Sequence, residues 1–213
     1  MNAQIERFTI DGPIGHIEVA VNRPAGVPIG ISLVAHPHPL FGGTLDNKVT
    51  KTLASAMTQL GYIAIRSNFR GVGKTEGVHD AGIGEQDDLM HVIAWIREQT
   101  GLEKLPLVLA GFSFGTFVLS HVAKALSDVG TPARRLVFVG TAASHWNVAP
   151  VPPDTVIIHG EKDEIVPMQL VLDWARIQML PVIVIPNSGH FFHGMLPLLR
   201  QIVVDRLALL NTN

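Results

Sequence analysis

Residues 105–115 read Leu-Pro-Leu-Val-Leu-Ala-Gly-Phe-Ser-Phe-Gly, and this stretch decides the fold. Its apolar beginning predicts a buried strand, and the apolar periodicity of residues 113–127 predicts a helix. Between the two, Gly111 and Gly115 flank Ser113 in a Gly-x-Ser-x-Gly turn. Because these glycines lack Cβ atoms, strand and helix can approach closely around a serine held at a strained backbone position. The stretch therefore predicts a strand–turn–helix unit that presents the serine hydroxyl.

Short apolar runs and longer helical patterns alternate along the rest of the chain. The predicted strands span residues 5–10, 14–21, 30–35, 62–67, 105–110, 135–140, 155–160 and 182–185. The predicted helices span residues 47–60, 85–100, 113–127, 167–178 and 197–210. The first two strands flank a turn, which is typical of an antiparallel hairpin at a sheet edge. The later alternation predicts right-handed crossovers and a mostly parallel, doubly wound sheet of the α/β class.

Composition limits the classes of protein that this chain can belong to. Its 213 residues suit one domain, spanning 1–213, with one sizeable core. A hydrophobic fraction of 47% with only 16% charged residues favours a sheet that is buried on both faces. The net charge of −2 comes without a basic stripe, so neither nucleic acid nor an anionic membrane surface is an expected partner. The lack of cysteine excludes disulfides, a thiolate nucleophile and cysteine metal ligands.

The sequence contains no pattern that predicts a targeting or membrane segment. Residues 1–7 read Met-Asn-Ala-Gln-Ile-Glu-Arg, which form no apolar signal region. No apolar run approaches the roughly 18 residues that a membrane span needs. We therefore expect a cytoplasmic protein.

A nucleophilic serine needs a base, and His190 is the histidine best placed to supply it. Catalytic groups of open α/β sheets collect at the carboxyl ends of the strands. His190 follows the predicted strand 182–185 across a short loop. In Ser-Gly-His the glycine permits a tight turn that exposes the imidazole at the end of the strand. His193 lies three residues further on and is the competing candidate.

The group that orients the base is expected in the loop after the predicted strand 155–160. Three carboxylates compete there, those of Glu161, Asp163 and Glu164. Asp163 lies where the loop turns toward the next predicted helix, and we favour it for this reason. The two glutamates are interpreted as solvated charges. The resulting chain order is serine, acid, histidine.

Backbone N–H groups are expected to bind the oxyanion that forms during acyl transfer. The first donor is the N–H of Phe114, the residue after the serine. The second is expected in the loop after the predicted strand 30–35, where two prolines have no N–H to offer. His38, Leu40 and Phe41 remain, and we favour His38 with Leu40 next.

Two other chemistries are weighed against this interpretation. His36 and His38 have a spacing that a metal ion could use, but no third cluster of ligands is evident, so no metal is expected. The glycine-rich segment 70–84 contains Gly73-Lys74-Thr75, but the glycine that a phosphate-binding loop needs further upstream is replaced by Asn68. Nucleotide binding is therefore rejected, and no cofactor is expected.

Arg70 has two interpretations that the sequence leaves open. It follows a predicted strand and precedes a predicted helix that carries Asp87 and Asp88. An ion pair with one of these carboxylates would hold the loop in place. Alternatively, the guanidinium would bind an anionic group of a substrate.

The motifs as a set resemble the α/β-hydrolase superfamily. They are the turn at 111–115, His-Gly-Glu-Lys-Asp-Glu-Ile-Val-Pro at 159–167 and Ser-Gly-His at 188–190, in the order expected of that superfamily. More narrowly, residues 36–48 and 68–73 are similar to those of small, lidless bacterial serine hydrolases, which match dienelactone hydrolases in size.

The resemblance implies a single α/β-hydrolase domain without a cap and a Ser113, Asp163, His190 triad. It also implies esterase-like or thioesterase-like activity on a small-molecule acyl substrate, without naming that substrate. Dienelactone hydrolases use a cysteine nucleophile, so their activity is not carried over to this chain. The interval 141–154 is too short for a helical cap, which predicts an open site.

Two other functions are kept as alternatives. One is a non-catalytic binding or interaction protein with a hydrolase fold, against which the complete set of motifs argues. The other is a peptidase, for which the short interval and the lack of a substrate-recognition domain give no support.

Overall fold

Strands and helices alternate along residues 5–100 and 105–210, the part of the chain that the structure, a computed structural model, describes. The strands are β1 Ile5–Gly12, β2 Gly15–Asn22, β3 Gly30–Ala35, β4 Tyr62–Ser67, β5 Leu107–Phe112, β6 Arg135–Val139, β7 Val156–Gly160 and β8 Val182–Ile185. The helices are α1 Lys48–Gln59, α2 Ile83–Thr100, α3 Phe114–Asp128, α4 Met168–Ile177 and α5 Leu196–Leu210.

The strands form one sheet in the order β1-β2-β4-β3-β5-β6-β7-β8. Strand β2 pairs antiparallel with both β1 and β4, whereas the pairs from β4 through β3 to β8 are parallel. The hairpin of β1 and β2 lies at the edge and brings Ile10 opposite Ile17. The predicted α/β class, the mostly parallel sheet and the antiparallel edge hairpin are therefore confirmed.

Helices cover both faces of the sheet, as the apolar composition predicts. On one face α2 and α3 pack Leu89, Val118 and their apolar neighbours against the sheet. On the other face α1 and α5 contribute Leu53 and Val203. Among the described helices, none is long and apolar enough to cross a membrane.

Several predicted boundaries differ from the structure by one or two residues. Strand β5 ends at Phe112 rather than at 110, because Gly111 and Phe112 still pair with β6. Helix α2 begins at Ile83, two residues before the predicted start. The loop after β3 contains one 3-10 turn at Pro39–Phe41. Proline is tolerated at the first position of such a turn, since its missing N–H would have no partner there.

The interval between β6 and β7 contains no helix, so no cap covers the carboxyl edge of the sheet. Residues 141–155 run as turns and irregular backbone along the α3 side. Buried hydrogen bonds fix this segment, from Ala142 N–H to Thr116 Oγ1 at 3.0 Å and from Ala149 N–H to Ser120 Oγ at 2.9 Å. The predicted absence of a cap is confirmed.

Candidate active site

Ser113 lies in the sharp turn between β5 and α3. Its φ of 54° and ψ of −124° are a strained conformation for a residue with a side chain. A Cβ atom on Gly115 would lie 2.6 Å from the carbonyl oxygen of Ala35, and one on Gly111 would lie 2.9 Å from the carbonyl carbon of Gly115. The two glycines therefore permit the close approach of β3, β5 and α3 that the sequence predicts.

The structure brings Ser113, His190 and Asp163 together at the carboxyl ends of three parallel strands. The Ser113 Oγ lies 3.0 Å from His190 Nε2, and His190 Nδ1 lies 2.7 Å from Asp163 Oδ2. Because the carboxylate only accepts, Nδ1 carries a proton, and Nε2 of the neutral ring accepts from the serine hydroxyl. Ser113 is 8% exposed, Asp163 7% and His190 2%, so this hydrogen-bonded chain is largely buried.

Backbone donors fix the second oxygen of Asp163. Its Oδ1 accepts from the N–H groups of Ile165 and Val166, at 2.9 and 2.7 Å. Burial raises the pKa of the Asp163 carboxyl. The hydrogen bond and charge of His190, together with the Val166 N–H, outweigh that effect and leave the pKa below its ordinary value. The carboxylate is therefore held both in place and in its charged form.

The competing carboxylates Glu161 and Glu164 lie at the surface. Glu161 is not simply a solvated charge, because its Oε2 accepts from the backbone N–H of Asn187 at 2.7 Å. The N–H of Lys162 likewise donates to the carbonyl oxygen of Ser188 at 2.8 Å. These bonds join the loop after β7 to the loop after β8. They thereby set the distance between the acid and the histidine.

His193, the alternative base, lies away from these groups. Its side chain is exposed and stacks on Phe191 with 6.0 Å between ring centroids. Within the described part of the chain no carboxylate pairs with it, whereas His190 has Asp163. Gly140, at the end of β6, leaves room for the His190 ring, since a Cβ there would lie 3.2 Å from Cε1.

The loop after β3 leaves one of its three candidate N–H donors unbonded. The N–H of Leu40 donates to His38 Nδ1, and that of Phe41 donates to the His38 carbonyl oxygen, both at 3.2 Å. In residues 5–100 and 105–210, no protein acceptor meets the N–H of His38. The His38 ring packs 4.7 Å from the ring of Phe114, whose own N–H opens α3. These contacts favour His38 over Leu40 and Phe41 as the second donor.

His36 is buried and structural. Its Nδ1 donates to the carbonyl oxygen of Pro37 at 2.6 Å, and its Nε2 accepts from the N–H of Phe69 at 2.9 Å. Burial is the main cause that lowers the pKa of His36 to about 4. With both nitrogens bonded to backbone, the ring has none left for a metal ion. No group of three ligand side chains suited to a metal occurs among the described residues.

Arg70 pairs with Asp88 on α2. Its Nε and one terminal nitrogen each lie 2.8 Å from a carboxylate oxygen. Both side chains are buried, with 8% and 3% of their surfaces exposed. The structure thus has the ion pair that would hold the loop, and it engages two of the three guanidinium nitrogens.

Two features near the site escaped the sequence analysis. The first is His159, which is fully buried. Its Nε2 donates to the carbonyl oxygen of Val166 at 2.9 Å and lies 3.5 Å from Asp163 Oδ2. The four-residue spacing of His159 and Asp163 is the only sequence feature that could indicate this contact. The second feature is a contact between His79 and the buried Glu85 at the start of α2. No local motif marks that pair, because a glycine-rich loop brings it together.

Two solved structures resemble this chain over almost its whole length. A serine hydrolase without a lid from Xanthomonas campestris is 36% identical, covers 98% of this chain and 95% of its own, and has a TM-score of 0.88. An α/β serine hydrolase homologue from Coxiella burnetii is 38% identical, with coverages of 95% and 97% and a TM-score of 0.81. Together with the fold, these relatives define the class, which is the α/β serine hydrolases without a lid.

A family model gives a second assignment for this chain. The model of the X-Pro dipeptidyl-peptidase (S15) family matches residues 11–149, well over half of the chain. The chain belongs to this family. The matched range includes Ser113 but ends before Asp163 and His190. A dienelactone hydrolase from Anabaena variabilis, 17% identical with a TM-score of 0.75 and 98% of both chains covered, shares the fold alone.

Proposed function

We propose that the protein cleaves carboxylic esters or thioesters through an acyl-enzyme. Ser113 is the nucleophile, His190 the base and Asp163 the group that orients His190. The observation that carries this proposal is the continuous chain of hydrogen bonds from Ser113 Oγ through His190 to Asp163, 3.0 and 2.7 Å long. Nucleophile, base and orienting group are within hydrogen-bond reach of one another, as such catalysis requires.

In the first half of the reaction, Ser113 Oγ attacks the carbonyl carbon and its proton passes to His190 Nε2. The charged imidazole then gives this proton to the leaving oxygen or sulfur as the bond to the acyl carbon breaks. In the second half, a water molecule loses a proton to the same nitrogen and attacks the acyl-enzyme. The proton returns to Ser113 Oγ as the acid is released.

The N–H groups of Phe114 and His38 bind the oxyanion of each tetrahedral intermediate. One opens a helix and the other belongs to a loop closed by its own hydrogen bonds, so neither needs to reorganise during the reaction. Donors aimed at developing charge in this way lower a barrier by several kcal/mol.

The substrate is a small acyl compound that enters from the uncapped edge of the sheet. The exposed ring of Phe41 and the half-buried ring of Trp146 flank the loop that carries His38. Their centroids lie 4.8 and 5.5 Å from its imidazole. They favour uncharged acyl groups of modest size.

The decisive experiment compares p-nitrophenyl acetate and butyrate with matched acyl-CoA thioesters, using wild-type protein and Ser113→Ala. We expect wild type to turn over one of the two classes and the variant to lose at least about 10³-fold in kcat. Labelling of wild type by a fluorophosphonate, absent in the variant, identifies the reactive serine. Equal rates in wild type and variant would refute the assignment.

The family match favours a second candidate, hydrolysis of a peptide bond after proline. The same three residues would serve, since amide and ester cleavage share the acyl-enzyme. Ala-Pro-p-nitroanilide tests this candidate, and a kcat/KM above that for the esters would replace our proposal. Failure of Ser113 to react with any ester, anilide or fluorophosphonate would instead indicate a non-catalytic binding protein.

A further inference from the structure

Two imidazole side chains, which the acyl-transfer steps leave unused, lie beside the nucleophile turn. The rings of His38 and His79 pack on the ring of Phe114, with centroids 4.7 and 5.5 Å away. Their own centroids are 4.9 Å apart. Both side chains are half-buried, so they form part of the cleft wall rather than of the core. Only the backbone N–H of His38 takes part in the proposed reaction.

A buried carboxylate fixes the tautomer of His79. Glu85 has no exposed surface, and its Oε1 lies 2.8 Å from His79 Nδ1. The same carboxylate accepts from the N–H groups of Asp80 and Gly82, at 3.0 and 2.8 Å. Because a carboxylate held by backbone donors acts as an acceptor, Nδ1 of His79 carries a proton and Nε2 of the neutral ring is an acceptor.

The opposite tautomer applies to His38. Its Nδ1 accepts from the N–H of Leu40 at 3.2 Å, so in the neutral ring the proton lies on Nε2, which is a donor. Burial, and then repulsion from His79 whenever that ring is protonated, lower the pKa of His38 and favour its neutral ring.

The two neighbouring rings therefore offer one Nε2 donor, on His38, and one Nε2 acceptor, on His79. Within the described residues, neither Nε2 atom has a hydrogen-bond partner. Neither atom is fully buried, so both reach solvent. One oxygen that makes two bonds of ~2.8 Å at a tetrahedral angle joins atoms roughly 4.6 Å apart. Rings whose centroids lie 4.9 Å apart are near enough for their Nε2 atoms to bind one such oxygen.

We propose that His38 and His79 form a subsite for a hydroxyl group of the substrate, with Glu85 as the residue that positions His79. A hydroxyl accepts a hydrogen bond from His38 Nε2–H and donates one to His79 Nε2. A keto oxygen can make only the bond with His38, and a methylene group can make neither bond. This inference rests on the proposed function and narrows its substrates to hydroxylated esters or thioesters.

The test compares kcat/KM for p-nitrophenyl butyrate with that for the 2-hydroxy and 3-hydroxy analogues. A second pair, ethyl butyrate and its 2-hydroxyethyl counterpart, places the hydroxyl on the alcohol side. In wild type we expect one hydroxylated substrate to be favoured about 10-fold, the effect of one or two net hydrogen bonds. A ratio near one for every pair would overturn the proposal.

The diagnostic variant is His79→Phe, which keeps a ring on Phe114 but removes the acceptor. We expect it to hydrolyse butyrate within about threefold of wild type while the preference for the hydroxyl falls to within about twofold of one. His91→Phe, at an exposed position of α2, is the matched control and should keep the preference. Retention of the preference in His79→Phe would also overturn the proposal.

If no ester is turned over, the proposed function has failed, and binding then tests the subsite independently. The probe is the ¹⁵N resonance of His79 Nε2, recorded with 3-hydroxybutyrate and with butyrate. A shift caused by 3-hydroxybutyrate alone supports a hydroxyl site, and equal responses to the two compounds refute it.

Discussion

At the scale of single residues, Asp163 controls which nitrogen of His190 can accept a proton. Its Oδ1 is held by two backbone N–H groups, so only Oδ2 faces the imidazole. In Asp163→Asn the amide oxygen would keep the backbone bonds, and the NH₂ group would donate to His190 Nδ1. The proton of the ring would then lie on Nε2, where it prevents abstraction from Ser113.

We therefore expect Asp163→Asn to lower kcat by about 10³-fold or more with little change in thermal stability. Ester hydrolysis and a melting curve measure the two effects. Glu164→Gln changes an exposed carboxyl in the same loop and should remain within about twofold of wild type. A comparable loss of kcat in Glu164→Gln would mean that Asp163 is not the residue that specifically orients His190.

His36 makes stability depend on pH. Below pH 6.5 the unfolded chain protonates this ring, whereas the folded protein resists protonation until about pH 4. Since the unfolded state then binds more protons, the free energy of unfolding falls as the pH drops from 6.5 to 4, by up to about 1.4 kcal/mol for each pH unit.

Urea unfolding at pH 7, 6, 5 and 4 measures this effect. His36→Gln cannot titrate in this range, so its stability should be lower at pH 7 but should decline less steeply than that of wild type. Parallel pH profiles for the two proteins would show that His36 does not contribute.

At the scale of elements, the turn works because α3 begins directly against β3. Gly115 is the point of contact, since a Cβ there would lie 2.6 Å from the carbonyl oxygen of Ala35 and 2.8 Å from that of His36. Those atoms belong to the backbone that leads to His38, so they cannot move aside without shifting the proposed oxyanion donor.

Gly115→Ala is expected to destabilise the protein by about 1–3 kcal/mol and to reduce kcat more than it raises KM. Melting curves and ester kinetics measure both effects. Gly26→Ala is the control, because a Cβ at Gly26 would meet nothing within 4 Å. An unchanged kcat in Gly115→Ala would mean that the loop after β3 does not help to bind the oxyanion.

At the scale of the whole molecule, no part of the chain that the structure describes forms a cap over Ser113. The 16 residues between β6 and β7 follow α3 instead of forming helices over the sheet edge. Hydrolysis of a short-chain triglyceride such as tributyrin should therefore saturate smoothly as its concentration passes the solubility limit, because no lid has to open at an oil–water interface. An abrupt rise in rate at that limit would contradict this expectation.

Much of this architecture follows from local patterns in the sequence. The apolar runs mark strands that are buried on both faces, and glycine spacing marks the turn at Ser113. Residues in the loops that follow strands, such as Asp163 and His190, are brought together because parallel strands end at one edge of the sheet. The local pattern predicts the end of β5 two residues too early, since pairing with β6 rather than local propensity extends the strand to Phe112.

The sequence by itself determined the class of fold, the absence of a cap and the set of residues that meet at the sheet edge, because each depends on periodicity or on position after a strand. Only the tertiary structure decided which loop N–H remains unbonded, that Arg70 pairs with Asp88, and that Glu85 orients His79 beside His38. Those contacts form within one loop or join a loop to α2. Their geometry depends on how the loops pack, and no periodic pattern encodes it.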